Sequence, residues 1–181
     1  APTIAMAAGT IDELSDGRFI LGLGSSHKVQ VEPEHGVTYA KPLSHVRDAV
    51  AIVRALLRDG EVQYEGEAIR IENFDLWFRP YRADMPIYIS ALFPKMMRLC
   101  GEISDGVILT RSTLETAEKI KPLIAEGAVS AGRDPAKVDV TSLLPMAVAD
   151  TLEAARDIMR PGVAFYAGFF PRYNRLISEY G

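Results

Sequence analysis

The chain has 181 residues, enough for one domain with a sizeable core. Hydrophobic residues make up 48% and charged residues 24%, and a net charge of −4 without any basic block argues against a nucleic-acid partner. A single cysteine, Cys100, excludes an intrachain disulfide and a zinc site built on cysteine pairs, and no apolar run approaches the roughly 20 residues of a membrane span.

Ile4 to Leu14 predicts a helix with Ile4, Ala7, Ala8, Ile11 and Leu14 on one face, and Asp16-Gly17 a turn. Arg18 to Leu23 reads as a short buried strand that breaks into Gly22-Leu23-Gly24-Ser25-Ser26. Ser25 to Lys41 is polar and reads as an irregular surface loop. Ser44 is placed to cap a helix running to about Arg58, with Val46, Val50, Val53 and Leu57 as its apolar stripe and Asp59-Gly60 as its stop. Glu61 to Phe74 suggests a hairpin around Glu65-Gly66. After a loop from Pro80 to Pro86, Ile87 to Leu92 is apolar enough for a strand covered on both faces.

Pro94 suits the first turn of a helix that buries Met96, Leu99, Cys100 and Ile103. Asp105-Gly106 leads into a strand, Val107 to Thr110. Thr113 is the expected cap of a helix to about Ala131, which Pro122 should kink or divide. Gly132-Arg133-Asp134-Pro135 turns into a strand from Val138 to Ala149, interrupted at Pro145. Asp150-Thr151-Leu152-Glu153 resembles a capping box, and Pro161-Gly162 should break the helix it opens. A Tyr- and Phe-rich helical tail ends at Gly181.

Strands that alternate with helices predict an α/β fold with a parallel sheet and right-handed crossovers. Periodicity leaves two closures open, a doubly wound sheet or a (β/α) barrel, of which four long strands are half. Either closure puts ligands at the C-terminal ends of the strands. That selects three loops: Gly22-Leu23-Gly24-Ser25-Ser26-His27, Ser90-Ala91-Leu92-Phe93-Pro94-Lys95, and Thr110-Arg111-Ser112.

The second loop feeds a helix whose free N–H groups favour a phosphate, with Ser90 adding a hydroxyl and Lys95 a charge. The competing and commoner case is an ordinary turn, with Ser90 capping the helix and Lys95 in solvent. Gly22 and Gly24 lack the third glycine of a dinucleotide fingerprint, so they serve either a turn or the close approach of a ligand. His27, His35 and His45, spaced eight and ten residues apart, match no helical metal-ligand pair, and only His27 adjoins the glycine loop. No Ser/His/Asp set is evident, and Ser25 is not in a nucleophile elbow. Asp105-Gly106 reads as structural, Glu102 as a surface or inter-element ion pair, and Tyr166, Phe169, Phe170, Tyr173 and Tyr180 as packing or interface.

These segments carry a family resemblance. Leu14-Ser15-Asp16-Gly17-Arg18-Phe19 with Gly22-Leu23-Gly24-Ser25 resembles LDELSxGRFxLGLGSG of the luciferase-like monooxygenases and their deazaflavin-dependent relatives. Pro86-Ile87-Tyr88-Ile89-Ser90-Ala91-Leu92-Phe93-Pro94-Lys95-Met96 resembles their PIYxAALGPKM. Leu99-Cys100-Gly101-Glu102-Ile103-Ser104-Asp105-Gly106-Val107 resembles LAGEIADGV, and Ala131-Gly132-Arg133-Asp134 resembles AGRD. Together they are most similar to the F420-dependent branch, the methylenetetrahydromethanopterin reductase-like proteins.

The resemblance implies a TIM (β/α)8 barrel, here roughly the fourth to seventh strand–helix units with a small hairpin insertion. It implies a cytoplasmic oxidoreductase passing a hydride between coenzyme F420 and a small-molecule substrate of unknown identity, with FMN as the alternative cofactor. It places the cofactor against Gly24, Ser25, Ser26, His27, Ser90, Ala91, Leu92, Phe93, Pro94 and Lys95, with no metal. Catalytic residues are then expected in three earlier strands that this chain lacks, so that residues 1–181 form a single domain incomplete at the N-terminus and at the C-terminus. An open half-barrel of this kind is expected to form a homodimer, to pair with another half-barrel, or to aggregate. Phe93 stands where the family pattern has glycine, and a bulky residue there would block backbone approach to phosphate or strain a positive φ. A non-catalytic truncated barrel or assembly partner is the third expectation.

Overall fold

The computed structural model describes residues 1–110, 112 and 114–180; Arg111, Thr113 and Gly181 lie outside the described residues, as do the side chains of Arg172, Leu176, Ile177, Glu179 and Tyr180. The expected cap Thr113, the middle of the third loop and the ring of Tyr180 therefore fall outside it. Four strands, β1 (Leu21–Leu23), β4 (Ile87–Ala91), β5 (Gly106–Thr110) and β6 (Asp139–Leu143), form one parallel sheet in the order β1-β4-β5-β6. The hairpin β2 (Glu61–Glu65) and β3 (Arg70–Asp75) stands apart as a two-stranded antiparallel sheet. The helices are α1 (Pro2–Leu14), α2 (Lys28–His35), α3 (Pro42–Asp59), α4 (Pro94–Ile103), α5 (Leu114–Ser130), α6 (Leu152–Phe169) and α7 (Pro171–Tyr180).

The sheet has two unlike faces. Ile87, Ile89 and Ala91 of β4 are buried in one core with Val107 and Leu109 of β5 and the apolar sides of α1, α3, α4 and α5. The alternate residues, Tyr88, Ser90 and Ile108, are half-buried on the opposite face. There Ile108 reaches across β4, so that a Cβ on Gly22 would stand 3.3 Å from its Cδ1. The Tyr88 ring lies over Gly106, where a Cβ would stand 2.6 Å from it, and its hydroxyl donates to Asp139 at 2.8 Å. Glycines on this face give larger side chains room on a curved sheet.

The α4–α5 contact is closer still. A Cβ on Gly101 would stand 2.0 Å from the Ile124 carbonyl oxygen, and one on Gly127 2.0 Å from that of Arg98. Arg133 binds the end of α4, donating to the Gly101 carbonyl at 2.6 Å and the Ser104 carbonyl at 2.7 Å. The Asp105 carboxylate accepts from the Ile87 N–H and from Arg54 of α3, each at 2.8 Å, so this Asp-Gly pair is structural, as expected. Glu102 pairs with Arg47 of α3, an inter-element ion pair.

Several expectations are corrected. The buried face of α1 is Ala5, Ala8, Gly9 and Asp12, while Ala7, Ile11 and Leu14 face outward. One ring contact and one ion pair set this rotation: Phe78 lies on Gly9, and Asp12 is held by Arg82 at 2.6 and 3.0 Å. β1 is confined to Leu21–Leu23, because Asp16 (φ 51°) and Gly17 (φ 72°) turn the chain just before it. The expected loop from Ser25 to Lys41 contains α2, with His27 extended at its start and Gly36 (φ 65°) closing it. α3 starts at Pro42 instead of being capped by Ser44, whose hydroxyl donates to Glu67 at 2.8 Å.

Met97 is buried more deeply than Met96 on α4, and β6 stops at Leu143, well short of Ala149. The cap of α6 is Thr151, which accepts from the Ala154 N–H at 3.2 Å, in place of an Asp150–Glu153 box. Neither Pro122 nor Pro161 divides its helix. Both are exposed, so the carbonyl each leaves unpaired meets water. The stripe of α3 and the hairpin around Glu65-Gly66 stand as read.

The hairpin is fastened to α3 by Asp48, which is 3% exposed. Its carboxylate accepts from the Ala68 N–H at 2.7 Å, the Ile69 N–H at 2.9 Å and the Tyr64 hydroxyl at 3.0 Å. Burial pushes its pKa up, but those donors outweigh burial and hold it below the ordinary value of 3.8. Asp48→Asn should cost about 1–3 kcal/mol in urea unfolding at neutral pH. A depressed pKa contributes stability above the unfolded value, so the gap between wild type and variant should close as pH falls below 3.8. Gly101→Ala should cost at least about 2 kcal/mol. Gly162→Ala on α6, with nothing within 4 Å, should gain about 0.5–1 kcal/mol, and thermal melts of the two variants compare them.

Candidate functional site

Beyond the C-terminal ends of β1 and β4 lies an open cavity of about 800 Å³. It brings together the first two predicted loops: Gly24, Ser25, Ser26 and His27 on one side, and Ser90, Leu92, Phe93, Pro94 and Lys95 on the other. Ala91, between Ser90 and Leu92, does not line it. Alternation along β4 turns Ala91 to the helices, and it is 3% exposed. Neither Thr110 nor Ser112 of the third loop lines the cavity.

The glycine segment does not make the turn, and Gly24 lines the cavity. Neither Gly22 nor Gly24 has a positive φ; the turn is made by Ser26, at φ 54°. A Cβ on Gly24 would stand 3.3 Å from the Ser90 Cβ, so this glycine lets the two strand ends come together. His27 follows as the extended residue before α2, and its ring packs 4.9 Å from Phe170 and 5.6 Å from Tyr173. Of the three histidines it alone lines the cavity. His35 ends α2, and His45, in the first turn of α3, has its Nδ1 3.0 Å from the Ala40 carbonyl oxygen.

The start of α4 is the polar end of the site. Phe93 precedes the helix in extended conformation (φ −125°, ψ 154°), so its side chain causes no backbone strain and no glycine is required there. No side chain caps α4; Ser90 stays on its strand. Pro94 has no N–H, and the N–H groups of Met96 and Met97 both donate to the Phe93 carbonyl. The Lys95 N–H and the helix dipole remain for a ligand, fewer donors than a bare helix start offers.

The lining also includes Lys95, Arg98 and Arg175, and no Asp or Glu among the described residues. Arg98 is paired with Glu126 at 2.8 Å. The arrangement suits an anion at the α4 end and a flat apolar body between Leu43, Leu92, Phe93 and Met96. The sequence reading expected a helical tail here but gave α7 no part in the site. The tail's aromatic residues were assigned to packing or interface, and Phe170 and Tyr173 are 4% exposed, yet Tyr173 and Arg175 of α7 also line the cavity. Their one sequence signal was an aromatic cluster at helical spacing. Among the described residues no group of His, Cys, Asp and Glu is placed to hold a metal, and no helix is long and apolar enough to cross a membrane.

The family model for luciferase-like monooxygenases matches residues 2–181. The 5,10-methylenetetrahydromethanopterin reductase of Archaeoglobus fulgidus is 38% identical over 167 residues, which are 92% of this chain and 49% of that protein. The enzyme of the same name from Methanolobus tindarius is 33% identical over 94% of this chain and 52% of that protein. Among solved structures, the coenzyme F420-dependent tetrahydromethanopterin reductase from Methanopyrus kandleri superposes with a TM-score of 0.82 at 27% identity, over 92% of this chain and 52% of that one. An F420-dependent secondary alcohol dehydrogenase in complex with an F420-acetone adduct gives 0.77 at 25% identity, over 94% and 51%. The chain spans about half the length of these relatives, and its sheet with its helices is part of a (β/α)8 barrel.

Cys100 is the one thiol, and it is not part of the site. It is fully buried under β4, donates to the Ile89 carbonyl at 3.8 Å, and burial pushes its pKa up to about 12. It should resist a thiol-specific reagent in the native protein at pH 8 and react at once in denaturant.

Proposed function

The chain belongs to the luciferase-like monooxygenase family, and on that premise we propose that it is part of an F420-dependent oxidoreductase whose deazaflavin lies in the large cavity. The observation that carries this reading is the convergence there of two strand-end loops and an uncapped helix start, on a lining that includes Lys95, Arg98 and Arg175. Nine of the ten residues assigned to the cofactor from sequence line that one cavity. Structurally similar F420-dependent enzymes at 27% and 25% identity favour F420 over FMN.

The residues fit such a group. The Lys95 N–H and side chain would take its phosphate, with Ser90 and Ser26 beside them. Leu92, Phe93 and Met96 would pack on the flat ring system and keep water from it. His27, braced by Phe170 and Tyr173, would close the β1 side. When bound, the deazaflavin supplies hydride chemistry, and the protein's part is binding, orientation and exclusion of water. The substrate-facing catalytic groups are assigned to the remaining strands of the barrel. β1 and β6 each have one unpaired edge among the described residues, and pairing of those edges completes the barrel, with homodimerisation as the assembly. A single cysteine suits the cytoplasm.

Titration of the protein with F420 and with FMN, followed by absorbance and fluorescence, tests the proposal. F420 should bind, and more tightly at low salt. Lys95→Gln should weaken it about threefold or more. Binding of FMN alone would move the protein to the FMN-dependent reading; binding of neither would leave a non-catalytic barrel segment.

A further inference from the structure

We propose that Tyr39 is a positioning residue: it holds Ser25 and Ser26 in their left-handed bend and so fixes one wall of the large cavity. The proposal rests on the reading of that cavity as the cofactor site.

Ser26 carries a side chain yet sits at φ 54°, a conformation that persists only where surrounding contacts impose it. The contact that imposes it comes from Tyr39. Its hydroxyl lies 3.2 Å from the Ser26 carbonyl oxygen and 3.2 Å from the Ser25 hydroxyl oxygen. The one phenolic proton lies between these two acceptors, so the tyrosine ties both residues of the bend to a single point.

Tyr39 is itself anchored. Its N–H donates to Glu32 of α2 at 3.1 Å, and Lys28 pairs with Glu32 at 3.7 Å. A line of bonds therefore runs from α2 through Tyr39 to the bend. Gly24 and Ser25 also border a second, smaller cavity of about 310 Å³, which Tyr39 lines with them. The segment is a thin wall with open space on both sides, and the tyrosine is its strut.

The test is a double-mutant cycle of Tyr39→Phe and Ser26→Gly, read in two ways. The first reading is amide hydrogen exchange at Ser26 and His27 without cofactor; the second is F420 affinity by fluorescence titration. Tyr39→Phe should speed exchange at both amides about three- to tenfold and weaken F420 by a similar factor. Glycine takes the left-handed conformation without strain, so in the Ser26→Gly background the same change should alter either quantity less than twofold. Glu32→Gln, which loosens the anchor and leaves the tyrosine in place, should speed exchange at Ser26 in the same direction. Unchanged exchange in Tyr39→Phe, or equal weakening in both backgrounds, would overturn the proposal. If the wild type binds neither F420 nor FMN, the cofactor reading fails, and the exchange measurements still decide the role of Tyr39.

Discussion

The place of α4 governs the rest of the structure, and two missing side chains set it. Gly101 and Gly127 let α4 and α5 meet backbone to backbone, closer than any side-chain packing allows. Met97, Leu99 and Cys100 then reach the sheet, where they join Ile89 and Leu109 in the core. Arg133 fixes the far end of the helix through two carbonyls. A helix held along its length and at its C-terminus has a defined N-terminus, and that N-terminus is the polar end of the cavity. Site geometry thus follows from a packing constraint about two helical turns away.

The two ends of the sheet are built on opposite principles. At the N-terminal ends of the strands, polar groups are spent on one another: Asp105 joins Ile87 and Arg54, Arg82 joins Asp12 and the Phe19 carbonyl, and Tyr88 joins Asp139. The Arg82–Asp12 pair is the most shielded, since the Asp12 side chain is 1% exposed and its two bonds are bidentate. At the C-terminal ends the helix start is uncapped, and Lys95 and Arg175 enter the lining of the cavity. Stability is concentrated at one end and binding capacity at the other, the division expected of a barrel.

The sequence was most legible where one pattern had one cause. The α3 stripe, the hairpin and the β4–α4–β5 succession rest on periodicity and turn chemistry, and they stand. The two loops that meet at the cavity were legible because a parallel sheet presents its ligand end at strand C-termini whatever the closure. Misreadings came where a tertiary contact overrode the local signal. Gly9 and Asp12 rotate α1 because Phe78 and Arg82, some seventy positions on, need them inward. Pro33 and a polar composition hid α2, and exposed prolines were tolerated in α5 and α6 because water serves the orphaned carbonyls. Tyr39, fourteen residues from Ser25, had no signal at all: a single hydroxyl in a polar stretch shows nothing of what it will meet.

The glycine pair at the end of β1 shows why a motif needs its geometry before it has a meaning. A G-x-G at a strand end suggests a turn or a close ligand, and both readings treat the glycines as acting along their own chain. Here they act across the sheet. Gly22 clears space for Ile108 from two strands away, and Gly24 clears space for Ser90. Both approaches lie on the face that turns away from the helices, and both draw β1 inward over β4. A larger residue at either position would push β1 outward and widen the gap between its loop and the α4 start. The bend itself falls to Ser26, which has a side chain and therefore needs an external hold. Curvature and bend are thus assigned to different residues, and the cavity between the two loops depends on both.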